Sequence, residues 1–263
     1  MRPIVSEAEL GGDWEVAAPD SNRVPGAMMG GFLERVVGTG APMRVCARPE
    51  VTVVIQFGEA PLRVTAGGEQ RQLGGVVAGL APMPQQVTAD RIECLEIRLS
   101  PLSTRTLLGA APSELRGEVV DLDAVWGREA PLLREQLSET PTWAGRFTIL
   151  TAFLAHREPV GAADPEVAAC WNRIVATGGR VRVQELAEWT GWSRQRLWSR
   201  FTAQVGVTPK QAAKIVRFRH ALDRLAAGQP VADVAAICGY ADQPHLHREI
   251  VAFAGTTPRT LTH

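Results

Sequence analysis

The residues best equipped for recognition chemistry lie in two stretches near the C-terminal end of the 263-residue chain. The first, 183–201, reads Val-Gln-Glu-Leu-Ala-Glu-Trp-Thr-Gly-Trp-Ser-Arg-Gln-Arg-Leu-Trp-Ser-Arg-Phe; the second, 231–250, reads Val-Ala-Asp-Val-Ala-Ala-Ile-Cys-Gly-Tyr-Ala-Asp-Gln-Pro-His-Leu-His-Arg-Glu-Ile. Each predicts a short helix, a glycine (Gly191, Gly239) and a second helix opened by a polar cap, Ser193 or Asp242. Glycine takes positive φ without steric cost, which a tight turn between two helices needs. Leu197 and Phe201 are spaced i, i+4 and face the core, so the complementary face presents Arg194, Gln195, Trp198 and Ser199, flanked by Arg196 and Arg200. In the second stretch Leu246, Ile250 and Phe253 face inward, and Gln243, Pro244, His247 and Arg248 face outward. Pro244 falls in the first helical turn, where its missing N–H costs nothing. These outward side chains suit base edges: Arg grips guanine and Gln grips adenine bidentately, each worth about 1–3 kcal/mol of discrimination. Trp198 can stack on a sugar, touch a thymine methyl, or pack on a neighbouring helix as most large aromatics do. His247 suits a hydrogen bond to a base or phosphate. His245 and His247 are two apart, off a common helix face, and make no metal pair.

These stretches need a frame. Thr208-Pro209 predicts the start of a long helix to about Ala227, with Ala212, Ile215, Val216, Leu222 and Leu225 inward. It is expected to hold the two stretches at a fixed separation, with Lys210, Lys214, Arg217, Arg219 and Arg224 mostly exposed. Lys210, Arg217 and Arg219, with the flanking Arg196 and Arg200, are assigned to phosphate, which gives affinity and salt dependence without sequence reading. Asp164-Pro165 opens a further helix as N-cap and N1. It packs on the first stretch through Val167, Cys170, Trp171, Ile174 and Val175, and Gly178-Gly179 ends it. Spaced about one DNA turn apart, the two recognition helices would enter successive major-groove segments of one DNA face.

Upstream the periodicity is that of strands. A first strand is expected at 30–37, then at 51–57, 62–65, 76–80 and 93–99, separated by Gly and Pro. In 93–99, Leu95, Ile97 and Leu99 share one face, Glu96 and Arg98 the other. Short strands so punctuated predict a small barrel or sandwich. Beyond Pro101 the period becomes helical over 102–108, 130–137 and 142–156. The stripe Phe147, Leu150, Phe153 and Leu154 fits either a dimer interface or packing on the barrel. Arg157 to Pro165 is rich in breakers. The division is therefore 1–112 β-rich, 113–158 helical, 159–165 linker and 166–263 all-α.

Composition agrees. Residues 164–263 hold 13 Arg and Lys against 8 Asp and Glu, while residues 1–163 hold 15 against 20, so a basic half is joined to an acidic one. Cys46, Cys94, Cys170 and Cys238 are scattered, which predicts reduced, mostly buried thiols and no zinc site. No apolar run is long enough for a signal peptide or a membrane span, so a soluble cytoplasmic protein is expected.

With these residues in place, positions 165–263 resemble the AraC/XylS family of bacterial transcription regulators. The resemblance rests on Leu186-Ala187, Gly191-x-Ser193, Leu197 and Phe201; Gly206-Val-Thr-Pro209; Arg217, Ala221 and Leu225; Val234-Ala235, Gly239-Tyr240-x-Asp242-Gln243-x-His245-Leu246-x-Arg248; and Gly255-Thr-Thr-Pro258. It implies DNA binding by both recognition helices, with an N-terminal β domain that senses a ligand or dimerises. Members often carry arginine where this chain has Ser199, so the first helix is expected to read bases differently, or less. Many carry an aromatic where this chain has Ile250. The N-terminal part is more loosely similar to divergent cupin-like sensor regions, and no ligand residues carry over.

The fold class expected is thus multidomain: an N-terminal β-rich cupin-like barrel plus helices, and a C-terminal all-α domain with two helix-turn-helix units joined by a long helix. The function expected is a sequence-specific transcription regulator, responsive to a small-molecule effector. Its expected partners are double-stranded DNA and a second copy of the chain, with RNA polymerase a further candidate. The alternative is a non-sequence-specific DNA-binding or protein-interaction module whose first recognition helix, with Ser199, is degenerate. No enzyme, cofactor or metal is expected. A metal-dependent cupin needs clustered histidines, and the first histidine is His156; a fused repair methyltransferase needs four clustered cysteines, and the N-terminal part has Cys46 and Cys94.

Overall fold

A computed structural model describes residues 14–21, 24–35, 43–45, 47–66, 69–80, 85–115, 119–157 and 161–255. Among them are ten strands: β1 (Trp14–Ala17), β2 (Ala27–Glu34), β3 (Met43–Val45), β4 (Val51–Gln56), β5 (Leu62–Ala66), β6 (Glu69–Leu73), β7 (Gly75–Ala78), β8 (Gln85–Thr88), β9 (Glu93–Leu99) and β10 (Val119–Asp121). They form a six-stranded sheet, β1-β2-β9-β4-β7-β10, and a four-stranded sheet, β3-β8-β5-β6, with the described pairings antiparallel. Phe32, Val76 and Cys94 of the larger sheet share one core with Leu62, Val64 and Val87 of the smaller. The larger sheet's other face buries Val53, Ile55, Ile97 and Leu99 against helices. The alternation read in 93–99 is therefore real, yet neither face meets solvent, and Glu96 and Arg98 are each only 7% exposed.

The helices that follow are α1 (Pro101–Leu108), a 3-10 turn (Pro112–Leu115), α2 (Leu122–Trp126), α3 (Glu129–Glu139) and α4 (Trp143–Ala155). The apolar stripe of α4 is consumed within the chain. Phe147, Leu150 and Leu154 are buried and Phe153 packs against the same core, so this face is not free for a second copy. Two expectations need correction. The strand sought at 30–37 is β2 at 27–34, and β1 precedes it, while residues 36–42 lie outside the described residues. Strand β10 pairs with β7, so the sheet reaches past residue 112 into the segment read as helical. It is three residues long and ends at Asp121, whose carboxylate accepts from the Asp123 amide to cap α2. No periodicity shows in so short a run.

The C-terminal part holds α5 (Pro165–Ala176), α6 (Val183–Thr190), α7 (Arg194–Val205), α8 (Pro209–Ala226), α9 (Val231–Ile237) and α10 (Gln243–Ala254). Helix α8 carries two apolar groups. Ala212, Ala213, Ile215 and Val216 join the core of α5, α6 and α7, which is continuous with that of the β-rich half. Phe218, Ala221 and Leu225 join Val234, Ala235, Leu246 and Ile250 in a separate core. The two halves meet where α7 packs on the 3-10 turn and on α1. Gly206, the C-cap of α7 at φ +88°, sits so close that a methyl group there would lie 2.5 Å from the Pro112 carbonyl oxygen.

Two glycines of the first unit should therefore respond differently. Gly191→Ala meets only backbone strain, since nothing lies within 4 Å of the added carbon at φ +68°; it should cost about 1–2 kcal/mol. Gly206→Ala adds a backbone collision at the joint and should lower the melting temperature further. Equal losses in thermal unfolding would show that this joint contributes no stability.

Candidate nucleic-acid interface

In the first unit Leu186 and Ala187 bury the inner face of α6, and Gly191 turns the chain in the left-handed region. The Ser193 hydroxyl accepts from the Arg196 amide at 3.2 Å, capping α7 as its sequence required. Leu197 and Phe201 are fully buried, while Arg194, Gln195, Trp198 and Ser199 are exposed. Trp198 is 55% exposed, so it is not consumed by a neighbouring helix. The arginines of α7 are each held. Arg194 donates to Gln184 Oε1 at 3.0 Å, Arg196 lies 4.5 Å over the Trp192 ring, and Arg200 donates twice to Asp164 at 2.8 and 2.9 Å. Asp164 thus occupies the N-cap position of α5 without capping it by its side chain. Its slight burial acts to raise its pKa, but bonds from Gln204 and Arg200 outweigh this and hold it below the usual carboxylate range.

In the second unit Gly239 supplies the turn at φ +76°, and Asp242 Oδ1 accepts from the His245 amide at 2.6 Å. Leu246 and Ile250 are buried; Gln243, Pro244, His247 and Arg248 are exposed. Beneath them lies a network that sequence reasoning missed. Arg217 donates from Nη2 to both oxygens of Glu249, at 2.8 and 3.0 Å, and lies 4.5 Å over the Tyr240 ring, whose hydroxyl donates to Glu249 at 3.0 Å. Burial works against the Arg217 charge, but Glu249 and Tyr240 hold its pKa above the ordinary value.

Several assignments change. Arg217 is only 16% exposed and committed to Glu249, so it is a core cation and not a phosphate contact. The Arg219 side chain, 24% exposed, pairs with Asp223 one turn along α8 at 2.9 Å, and its charge adds to the pull on the Glu50 carboxyl. Lys210 is exposed, as expected. Val175, read as inward on α5, is 48% exposed. Cys94, Cys170 and Cys238 are free and buried, while Cys46 lies outside the described residues. Among the described residues no cluster could hold a metal ion, and no helix is long and apolar enough to cross a membrane. Arg180 and Arg182, exposed ahead of α6, were legible by type but not by position.

A cavity of about 330 Å³ lies between the halves, lined by Met28, Glu50 and Arg98 on one side and by Trp171, Val175 and Val216 on the other. Burial pushes the Glu50 carboxyl up, against the pull of Arg98, Arg48 and Arg219. Burial likewise lowers Arg98, which donates to Glu96 at 2.9 Å. Arg48 Nη1 is buried with no hydrogen-bond partner among the described residues.

Residues 186–263 match the family model described as a helix-turn-helix domain. Over 66 residues the chain is 36% identical to the uncharacterized HTH-type transcriptional regulator YbfI of Bacillus subtilis (strain 168), a match covering 25% of this chain and 24% of that protein. It thus spans about a quarter of the length of the curated relative it matches. Among solved structures, ToxT from Vibrio cholerae O395 superposes with a TM-score of 0.51 at 10% identity, covering 90% of this chain and 97% of that one. Another crystal form of Vibrio cholerae ToxT gives 0.50 at 10% identity, covering 95% and 96%. The C-terminal part is therefore a helix-turn-helix domain. Across 90% of its length the chain shares the two-part fold of ToxT.

Removing the Arg217 guanidinium leaves Glu249 buried and unpaired. Arg217→Ala should destabilise the chain by about 3–5 kcal/mol, and adding Glu249→Gln should recover part of it. Urea unfolding that finds Arg217→Ala neutral would return Arg217 to the surface.

Proposed function

We propose that the chain is a sequence-specific DNA-binding transcription regulator that reads two successive major-groove segments with α7 and α10. The observation that carries this is the doubled unit. Two capped helices each turn a row of base-competent side chains outward, and one rigid helix joins them. On this reading Arg194, Gln195, Trp198 and Ser199 face one segment, and Gln243, Pro244, His247 and Arg248 the other. Lys210, Arg196 and Arg200 lie at the flanks as phosphate contacts. A narrower reading has support too. The arginines of α7 are engaged by Gln184, Trp192 and Asp164, and Thr202 is buried. Helix α7 would then anchor the protein while α10 does most of the reading.

We also infer that the β-rich half senses a small molecule. The support is the inter-half cavity: its apolar walls suit an apolar body, and Arg98 and Glu50 suit a polar end that accepts from one and donates to the other. A second copy of the chain and RNA polymerase are the partners such a regulator would take. The sensing claim is checked by a thermal-shift screen of small amphiphiles against wild type and Val175→Trp, whose indole would fill the cavity. Stabilisation that survives the substitution places the binding elsewhere.

The decisive test is selection from random DNA with the full chain. Two short boxes about one helical turn apart support the two-helix reader; one box supports the narrower reading; no enrichment contradicts both. Arg248→Ala should lower affinity for the selected site by about 1–3 kcal/mol and relax preference within one box. Unchanged preference removes Arg248 from the reading set.

A further inference from the structure

Arg217 is committed to Glu249 and Arg219 is paired with Asp223, and for cations free of ion pairs between the two units the geometry points to Arg180 and Arg182. We infer that the segment 180–184 is a backbone saddle, on which these two arginines hold the phosphates running from one recognition helix to the other. The inference rests on the DNA-binding reading above and adds to it a surface and its contacts.

The position of the segment is the argument. Gly178 and Gly179, at φ +59° and +75°, turn the chain after α5, and a methyl group on Gly179 would lie 2.1 Å from the Ala213 carbonyl oxygen. The turn is thus pressed on α8, the helix that joins the two units. Arg180 leaves this turn with its Nε donating to the Thr177 carbonyl at 3.2 Å. Its side chain then lies against the turn of the second unit, where a methyl group on Gly239 would meet it at 3.6 Å. At the other end of the segment, Gln184 Oε1 accepts from Arg194, the leading residue of α7. Five residues therefore reach from the turn before one recognition helix to the first residue of the other.

The charges agree. Arg180 and Arg182 are exposed, and among the described residues neither has a carboxylate partner. The carboxylates nearest in sequence are on α6, at Glu185 and Glu188, and Glu188 accepts from Gln184 Nε2 at 2.8 Å. Exposed, unpaired guanidiniums on a fixed turn are what a passing phosphate needs, because binding then breaks no ion pair and orders little chain.

The experiment is a salt series of fluorescence anisotropy with the full chain, on the selected duplex and on an unrelated one. Arg180→Ala and Arg182→Ala should each weaken both duplexes by a similar factor and flatten the plot of log affinity against log salt by about one unit. The double variant should flatten it by about two units, and Arg→Lys at either position should restore most of the slope. Circular dichroism melts on each variant confirm an intact fold. Slopes unchanged from wild type, with Arg248→Ala still selective for its own site, overturn the saddle while leaving the DNA reading intact. Loss confined to the selected duplex also overturns it, because the arginines would then read bases. A wild-type chain that binds neither duplex overturns both readings.

Discussion

The burial of one helix in two separate cores is the constraint on which the C-terminal half depends. The first two turns of α8 are held by the core that runs on into the β-rich half, and the last three by a core of their own. An 18-residue helix is a rod of about 27 Å, so the spacing of the two units is set by backbone geometry rather than by a flexible linker. One DNA turn is about 34 Å. On the proposed reading, DNA that must curve to meet both recognition helices contributes to sequence preference through the cost of deforming each sequence.

Electrostatics divides the basic half into cations that hold the fold and cations left over. Arg217 is the clearest of the first kind. Its bidentate grip on Glu249 ties α8 to α10, and the Tyr240 hydroxyl on the same carboxylate ties in the turn between α9 and α10. A buried ion pair contributes little net stability, because desolvation offsets most of the attraction, but breaking one costs several kcal/mol. Its effect here is orientation: α10 can rotate about its axis only by abandoning Glu249. Arg200 does related work in the open, fastening α7 to the start of α5 through Asp164. A count of basic residues therefore overstates the charge offered to a polyanion.

Legibility in the sequence followed the length of each pattern. The two helix-turn-helix units were readable to within a residue or two, since capping residues, glycine turns and i, i+4 apolar pairs are local and all agree. The long helix was readable as a helix, but not the face on which each arginine sits. The partner that captures Arg217 lies 32 residues away on α10, and a carboxylate at position 249 looks in sequence like any solvated glutamate. The strands at 51–56 and 93–99 were visible by their β-branched or alternating residues, whereas β10 was too short to leave a period. What no local pattern carried was the contact between halves. Val175, Arg98 and Glu50 come together only because α5 docks beside the ends of β4 and β9, which places an apolar helix face opposite a buried charge pair.

That docking is unequal for the two units. The first shares a core with the β-rich half, and α7 lies directly under the 3-10 turn and α1. The second has a core of its own, but Phe253 of α10 also packs against the core of the β-rich half, and its carbonyl accepts from the Ala47 amide at 3.2 Å. The cavity borders the first unit's core, since Trp171 and Val216 on its wall belong to the same continuous core as Leu197 and Phe201 of α7. On the proposed reading an occupant of the cavity would act on the first unit's grip on DNA through this core.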